Sequence, residues 1–435
     1  MDLGEALAWL AQHVNLEADP APAAAARRLD RIARLVGLMG DPQTAYPVIH
    51  LTGTNGKGST ARMVTALLVA RGLSVGTYTS PHLERLNERL AWGGEPIADD
   101  ALAETLSAMA HLEPMLESRP THFEVLTAAA FRWFADIAVD VAVVEVGLGG
   151  RWDATNVADG QVAVVTNVSL DHAETIGPGL EDIAREKAGI VKPGATLVLG
   201  ETDPQLASIF REASVAAGDV WERDRHFGCT SNRLAIGGRS VELRTPGARY
   251  PELFVPAHGA FQGDNAAVAV AAVEAFFGTA VEQEPVSAGL AAVRLPGRLE
   301  VVGRNPLCIL DGAHNPAGAR AAAAAIDEAF AGLEGRVLVV GMLRGRDPVE
   351  MLESMQAQAA RLVIACPPPS PRALPAEEVA AAAERLGCAS QIADGVSEAV
   401  DLALAAAGPA EMVLVTGSLY LVGAARAWLH PDSPS

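Results

Sequence analysis

Short runs of β-branched apolar residues recur along the chain, each followed by a glycine-rich or polar stretch and then by residues at helical spacing. Residues 46–51 form the first buried-strand pattern. A glycine loop follows, and 59–71 places apolar residues three and four apart, as a helix does. Residues 74–79 repeat the strand pattern. Strand, loop, helix and strand together predict a parallel α/β sheet, because a parallel neighbour is reached through a crossover. The alternation continues with strands at 141–146, 162–167 and 196–199 and a helix at 123–135. Residues 1–45 are Ala-rich and predict helices closed by Asp41-Pro42. Residues 221–255 alternate apolar and polar positions around glycines, which predicts an antiparallel excursion. A helix is expected at 261–277.

A second alternating region begins near Leu295-Pro296-Gly297-Arg298. Strands are expected at 308–310, 336–340, 361–365 and 412–415, with helices between them that include the alanine tract after Gly318. The region has roughly the length of one domain. The chain is therefore expected to divide into residues 1–295 and 296–435.

With 435 residues, half of them hydrophobic, the chain is too long for one ordinary core and suits two. Its formal net charge of -20, from 33 basic and 53 acidic residues, argues against nucleic acid and anionic membrane as partners. Cys229, Cys308, Cys366 and Cys388 are scattered, as core cysteines of a reducing compartment are. The start, Met1-Asp2-Leu3-Gly4-Glu5, lacks a basic segment followed by an apolar one. No apolar run approaches the ~20 residues that span a bilayer. A soluble, cytoplasmic monomer acting on small molecules is expected.

The chemistry concentrates in Gly53-Thr54-Asn55-Gly56-Lys57-Gly58-Ser59-Thr60. Glycines let successive backbone N–H groups converge on one anion. The following helix adds the positive end of its dipole. Lys57 brings a full charge to the outer phosphates, and Ser59 or Thr60 a hydroxyl for phosphate or Mg²⁺. The spacing departs from the common phosphate loop: Gly58 separates the lysine from the hydroxyl residue, and the first glycine lies closer to the lysine. A guanine-reading Asn-Lys-x-Asp stretch is absent, which disfavours a GTPase switch and leaves ATP-using enzymes.

Further candidates fall at strand ends, where parallel sheets bind ligands. Glu145 closes 141–146 and can hold Mg²⁺ through oxygen. Asp171-His172 follows 162–167 at the same edge. In the second region, Asp311 in Leu310-Asp311-Gly312-Ala313-His314-Asn315-Pro316 can accept ribose or ammonium hydrogen bonds, and His314 can meet a carboxylate or phosphate. Asn315 with Pro316 also has the form of a helix cap. Taken by themselves, Lys187, in a helix ending at Gly189, and Arg298 have the character of surface residues.

These stretches, with Thr79-Ser80-Pro81-His82-Leu83, Phe123-Glu124-Val125-Leu126-Thr127, Ser370-Pro371-Arg372-Ala373-Leu374 and Gly417-Ser418-Leu419-Tyr420, resemble the folylpolyglutamate synthase family. That family includes bifunctional dihydrofolate synthases and belongs to the Mur ligase superfamily. The resemblance runs from about residue 28 to 429. It implies an N-terminal Mur-ligase-like ATPase domain with a parallel sheet, and a smaller Rossmann-like α/β domain. It implies that Thr54, Asn55, Gly56, Lys57, Gly58, Ser59 and Thr60 bind ATP, completed by Asn265, Arg298 and Asp311. Ser80, Glu145 and His172 would hold Mg²⁺, and Lys187 would be carbamylated and hold a second ion. Catalytic roles would fall to Lys57, Lys187 and His172. Thr121, His122, Phe123, Glu124, Trp152, Asp153 and Ala154 would approach the pterin, and His314 and Ser418 the incoming glutamate. One departure concerns Ala26-Arg27-Arg28-Leu29-Asp30-Arg31-Ile32, which lacks the glycine of the family's pterin loop.

The expected reaction joins L-glutamate to a folate, or to dihydropteroate, through an acyl phosphate made with ATP. Two other readings stand beside it. One is a Mur-like ligase acting on another carboxylate, although the roughly 45 residues before the loop leave no room for a nucleotide-sugar domain of ordinary domain size. The other is a nucleotide-dependent binding or switch protein.

Overall fold

A computed structural model describes residues 1–18, 28–171 and 173–430. The first sheet has eight strands: β1 Val48–Thr52, β2 Val75–Tyr78, β3 Leu90–Trp92, β4 Glu95–Pro96, β5 Val141–Glu145, β6 Val162–Val165, β7 Thr196–Leu199 and β8 Val220–Glu222. They lie in the order β4-β3-β2-β5-β1-β6-β7-β8. From β2 to β8 across the sheet every pairing is parallel. β3 and β4 add an antiparallel edge. The central strands are buried along their whole length, which explains their unbroken apolar character.

Helices cover both faces. Lys57–Ala70 packs with Phe261–Phe277 and Gln283–Ala292 over one core, where Met63, Val64 and Leu67 meet Val268 and Leu290. His122–Asp136 and Asp99–Leu112 cover the other, around Phe131, Phe134 and Leu106. The chain runs from β1 out to β2, returns to β5 and then crosses β1 to β6. This reversal opens a crevice beyond the carboxyl ends of β1, β5 and β6. The register Leu51↔Glu145 and Thr52↔Val165 brings those three ends level.

The expected antiparallel excursion forms a three-stranded sheet of β9 Gly228–Ala235, β10 Gly238–Arg244 and β11 Arg249–Val255, in the order β11-β10-β9. Its first expected residues, Trp221 and Glu222, belong instead to β8, which adds to β7 in parallel. The hairpin of β3 and β4 escaped the sequence reading. Its strands are very short, although Gly93-Gly94, both at positive φ, marks the turn.

The second large sheet holds β12 Glu300–Arg304, β13 Leu307–Asp311, β14 Gly335–Val340, β15 Leu362–Ala365, β16 Ser390–Ile392 and β17 Glu411–Thr416. The order is β12-β13-β17-β14-β15-β16, with β12 antiparallel at the edge. Asp311 pairs with Thr416, so β13 and β17 also end together. Among the described residues no helix is long and apolar enough to cross a membrane.

The second large sheet is joined to the rest of the chain at several points. Buried Arg239 meets Glu328 at 2.8 Å, and Arg426 bonds to both Glu84 and Glu300. Gly423, in the helix Leu419–Leu429, comes so close to the loop after β2 that a Cβ would stand 1.8 Å from the Leu83 carbonyl oxygen. That oxygen belongs to rigid backbone, so only glycine allows the approach. Gly423→Ala is expected to cost about 1–3 kcal/mol, read as a fall in the denaturation midpoint. An unchanged midpoint would show that the helix shifts freely against the loop.

Candidate active site

The glycine loop leaves β1 at Thr52 and enters the helix Lys57–Ala70. Two of its glycines are required by close packing. A Cβ on Gly53 would meet the Thr166 hydroxyl at 1.8 Å, and one on Gly56 (φ +81°) would meet the Asn265 side-chain oxygen at 2.7 Å. The loop is tied to the end of β6: Thr54 N–H donates to the Asn167 carbonyl at 2.9 Å, and Asn55 N–H to Asn167 Oδ1 at 3.0 Å. Thr166 and Asn167 side chains return bonds to the Asn55 carbonyl at 2.7 and 2.9 Å. The loop is thus held rigid from behind, which leaves its open side for a ligand.

Two lysines converge on it. Lys57 Nζ donates to the Gly53 and Thr54 carbonyls at 3.1 and 3.3 Å. Lys187 Nζ donates to the Gly53 carbonyl at 2.8 Å. The surface character expected for Lys187 alone is wrong: it is 4 % exposed, because the last turn of Leu180–Lys187 faces the sheet edge. Burial first, and then the charge of Lys57, push its ammonium down to about 7. Arg298, also read alone as surface, is half-buried in the cleft.

Glu145 ends β5 beside the loop, 3 % exposed. Its Oε2 accepts the Ser80 N–H at 3.3 Å and lies 3.5 Å from where a Gly58 Cβ would stand. Burial raises its pKa, opposed first by Lys57. Thr54 to Gly58, Ser80, Glu145, Lys187, Arg298 and His314 line one cleft between the two large sheets. Asn265 supports Gly56 from below. Ser59 and Thr60 are buried in the first helical turn, and the Thr60 hydroxyl has no partner. His172 lies outside the described residues, as do Ala26 and Arg27. Among the described residues no three His, Cys, Asp or Glu side chains converge as a ready metal site.

Other expected residues serve structure at this stage. Asp311 accepts the Leu299 and Ala313 N–H groups at 3.0 and 2.9 Å, and burial raises its pKa against the pull of Arg298. Ser418 is buried and caps Tyr420 N–H at 3.2 Å. Thr121 and Glu124 form a reciprocal cap, and Glu124 also pairs with Arg31 at 3.1 Å. Phe123 reaches over Gly147, where a Cβ would be 2.5 Å from its ring, and so stands at the cleft wall. His122 Nδ1 is buried without a partner. Asp153 holds the Leu148 and Thr155 N–H groups at 2.9 and 3.0 Å, Ala154 is buried, and Trp152 is exposed.

A network missed in the sequence bridges the cleft. Asn315 caps its helix at Gly318 N–H (2.8 Å) and also donates to Asn55 and Asp171, each at 3.0 Å. Asn55 Nδ2 returns a bond to Asn315 Oδ1 at 3.4 Å. Arg346, from the loop after β14, pairs with Asp171 at 2.6 Å, and His314 Nε2 lies 3.7 Å from the same carboxylate. The cap signature of Asn315 was visible; its second use was not, because partners 260 residues away carry no local signal.

The Mur ligase middle domain family matches residues 51–273, and the Mur ligase glutamate ligase domain family matches 297–419. A Mycobacterium tuberculosis dihydrofolate synthase/folylpolyglutamate synthase is 38% identical over 93% of this chain and 90% of its own. A solved structure of Mycobacterium tuberculosis folylpolyglutamate synthase complexed with ADP covers 99% of this chain and 98% of its own, with TM-score 0.91 and 38% identity. A solved complex described as FPGS-AMPPCP-folate has TM-score 0.84 and 31% identity, covering 98% of this chain and 99% of its own.

The bridge makes a thermodynamic prediction. Asn55→Ala and Asn315→Ala, measured singly and together by denaturation, should be non-additive by about 0.5–1.5 kcal/mol. Simple additivity would mean that the two amides are neighbours without a working bond.

Proposed function

Because the chain belongs to the Mur ligase family, in its branch of folylpolyglutamate and dihydrofolate synthases, we propose the following reading of its cleft. The protein is an ATP-dependent ligase that adds L-glutamate to the carboxylate of a folate. We extend this to dihydropteroate, in keeping with a bifunctional relative. One observation carries the reading: Lys57, Lys187 and Glu145 from the first sheet meet Arg298 and His314 from the second across one cleft.

A carboxylate is a poor acyl donor, since an amine cannot expel oxide. Transfer of the γ-phosphoryl group of ATP to a carboxylate oxygen yields ADP and an acyl phosphate. The glutamate amine then attacks the acyl carbon; the C–N bond forms, the C–O bond breaks, and phosphate leaves. The protein's part in the first step is positioning and charge neutralisation. Lys57, the N–H groups of Gly56 to Ser59 and the Thr60 hydroxyl hold the phosphates. Asn265, Arg298 and Asp311 complete the nucleotide site. His314 and Ser418 face the incoming glutamate. Thr121 to Glu124 and Trp152 to Ala154 take the pterin end. Walls from both sheets exclude water from the acyl phosphate. We divide the chain near residue 295, in the connection before the sheet that starts at Glu300. Its cysteines are all free, which fits a cytoplasmic enzyme. We take it to be a monomer.

Glu145 offers a buried carboxylate, and Ser80, whose N–H it accepts, lines the same cleft, so these two residues fit Mg²⁺; His172, outside the described residues, would be the third ligand. An ion held by these residues would supply neutralisation of phosphate charge. Lys187 suits carbamylation. Only the unprotonated amine attacks CO₂, and with its pKa near 7 about half of it is unprotonated at neutral pH. The reaction releases a proton and leaves an anionic carbamate where a cation stood. That group can hold a second Mg²⁺.

The decisive experiment supplies ATP, Mg²⁺ and glutamate with tetrahydrofolate or dihydropteroate and analyses products by mass. Glutamate-linked products are expected from both, and Lys57→Ala should lower turnover at least about 100-fold. Slow ATP hydrolysis with no such product would sink the ligase reading. Lys187→Ala should lose activity to a similar degree and regain part of it with short carboxylates, which replace the missing anion. Full activity without them would remove the carbamate from the account.

A further inference from the structure

Beside the cleft lies a second cluster of basic groups, around Glu17. Arg89, at the end of the turn Leu86–Arg89, is 1 % exposed. Its two terminal nitrogens meet the Glu17 carboxylate at 2.8 and 2.6 Å. Its Nε donates to His82 Nδ1 at 3.0 Å. Arg372, from the second sheet's side, donates to the Glu17 main-chain carbonyl at 3.3 Å. Burial alone would raise the Glu17 carboxyl, but Arg89 holds it below its ordinary range.

The cluster adjoins the phosphate site. His82 is two residues from Ser80, so their Cα atoms are at most about 7.6 Å apart, and Ser80 N–H touches Glu145. The two halves of the ion pair differ in character. Arg89 is buried and fixed by its bonds to His82 and Glu17. Glu17 sits on a turn, and its side chain is 27% exposed. A planar guanidinium fork presented to an edge-on carboxylate is also how proteins bind carboxylate ligands.

We propose that Arg89, with His82, is a carboxylate subsite that Glu17 fills in the free enzyme and that the non-reacting carboxylate of a folate's terminal glutamate takes over. This rests on the ligase reading above. A terminal glutamate carries two side-by-side carboxylates, and only one is to be phosphorylated. Holding the other fixes which one reaches the phosphoryl group. Dihydropteroate has a single carboxylate and leaves Glu17 in place. The subsite therefore reads the difference between the two acceptors.

The test uses the full-length enzyme with tetrahydrofolate and its analogue in which the non-reacting carboxylate is a carboxamide. In the wild type the carboxamide should raise KM about tenfold or more, the loss of one charged hydrogen-bond pair. Arg89→Met alone leaves Glu17 unpaired and risks misfolding, so it is combined with Glu17→Met, which replaces a buried pair by apolar volume. In this double variant the ratio of the two KM values should fall to about one, through a raised KM for tetrahydrofolate. Glu17→Gln, which frees Arg89, should lower the KM for tetrahydrofolate several-fold while leaving the ratio high. A ratio in the double variant equal to that of the wild type overturns the subsite and leaves the pair as a structural clamp. Absence of any glutamate-linked product in the wild type overturns the ligase reading, and the subsite with it.

Discussion

The carbonyl oxygen of Gly53, the first group past β1, holds two lysine amines, Lys187 at 2.8 Å and Lys57 at 3.1 Å. Two ammonium ions on one neutral acceptor repel each other, and in a buried site that repulsion is strong. It is relieved if one amine gives up its proton. Lys187 is deeply buried, and burial first, then the charge of Lys57, lowers its pKa. Much else follows from this point. Gly53 can offer its carbonyl only because its missing side chain lets it lie against Thr166. The loop that continues from it is pinned to β6 through the Thr54 and Asn55 N–H groups, which leaves the first N–H groups of the helix Lys57–Ala70 for a ligand. Glu145 stands near Lys57, so the arriving phosphate meets both signs of charge in one cleft.

The cleft is closed by polar contacts rather than by a shared apolar core. Asn55 is part of the phosphate loop, and Asn315 caps a helix of the second sheet; their paired amides connect the two directly. Asp171 extends the link to Arg346. Amide bonds of this kind contribute about 1 kcal/mol each, little enough to be exchanged for substrate contacts. The firmer junctions lie elsewhere, at Gly423 against Leu83 and at buried Arg239. The molecule thus has a fixed seam and an adjustable one, and the site lies on the adjustable seam.

Much of this was legible in the chain. The central strands announce themselves because burial on both faces forces an unbroken apolar run, and the phosphate loop because its glycines and lysine lie close in sequence. Glu145 and Asp311 were found by the rule that strand ends face ligands. What escaped depends on distance in sequence. Lys187 looked like a surface lysine because its burial comes from Gly53, 134 residues earlier. Arg89 raised no signal beyond its neighbours, since its partner Glu17 is 72 residues away. β3 and β4 were too short to show periodicity.

The net charge of -20 bears little on a site for small anions, because screening and local placement set the balance there. Surface acids more than about 8–10 Å from the cleft are largely screened at physiological salt. Inside it, Lys57, Arg298 and Arg346 act at short range in a medium far less polar than water. The reaction asks for that arrangement. A nucleophilic carboxylate must approach a triphosphate of the same sign, and no positioning helps unless the repulsion is cancelled where the two meet. An acidic exterior leaves that local balance almost untouched.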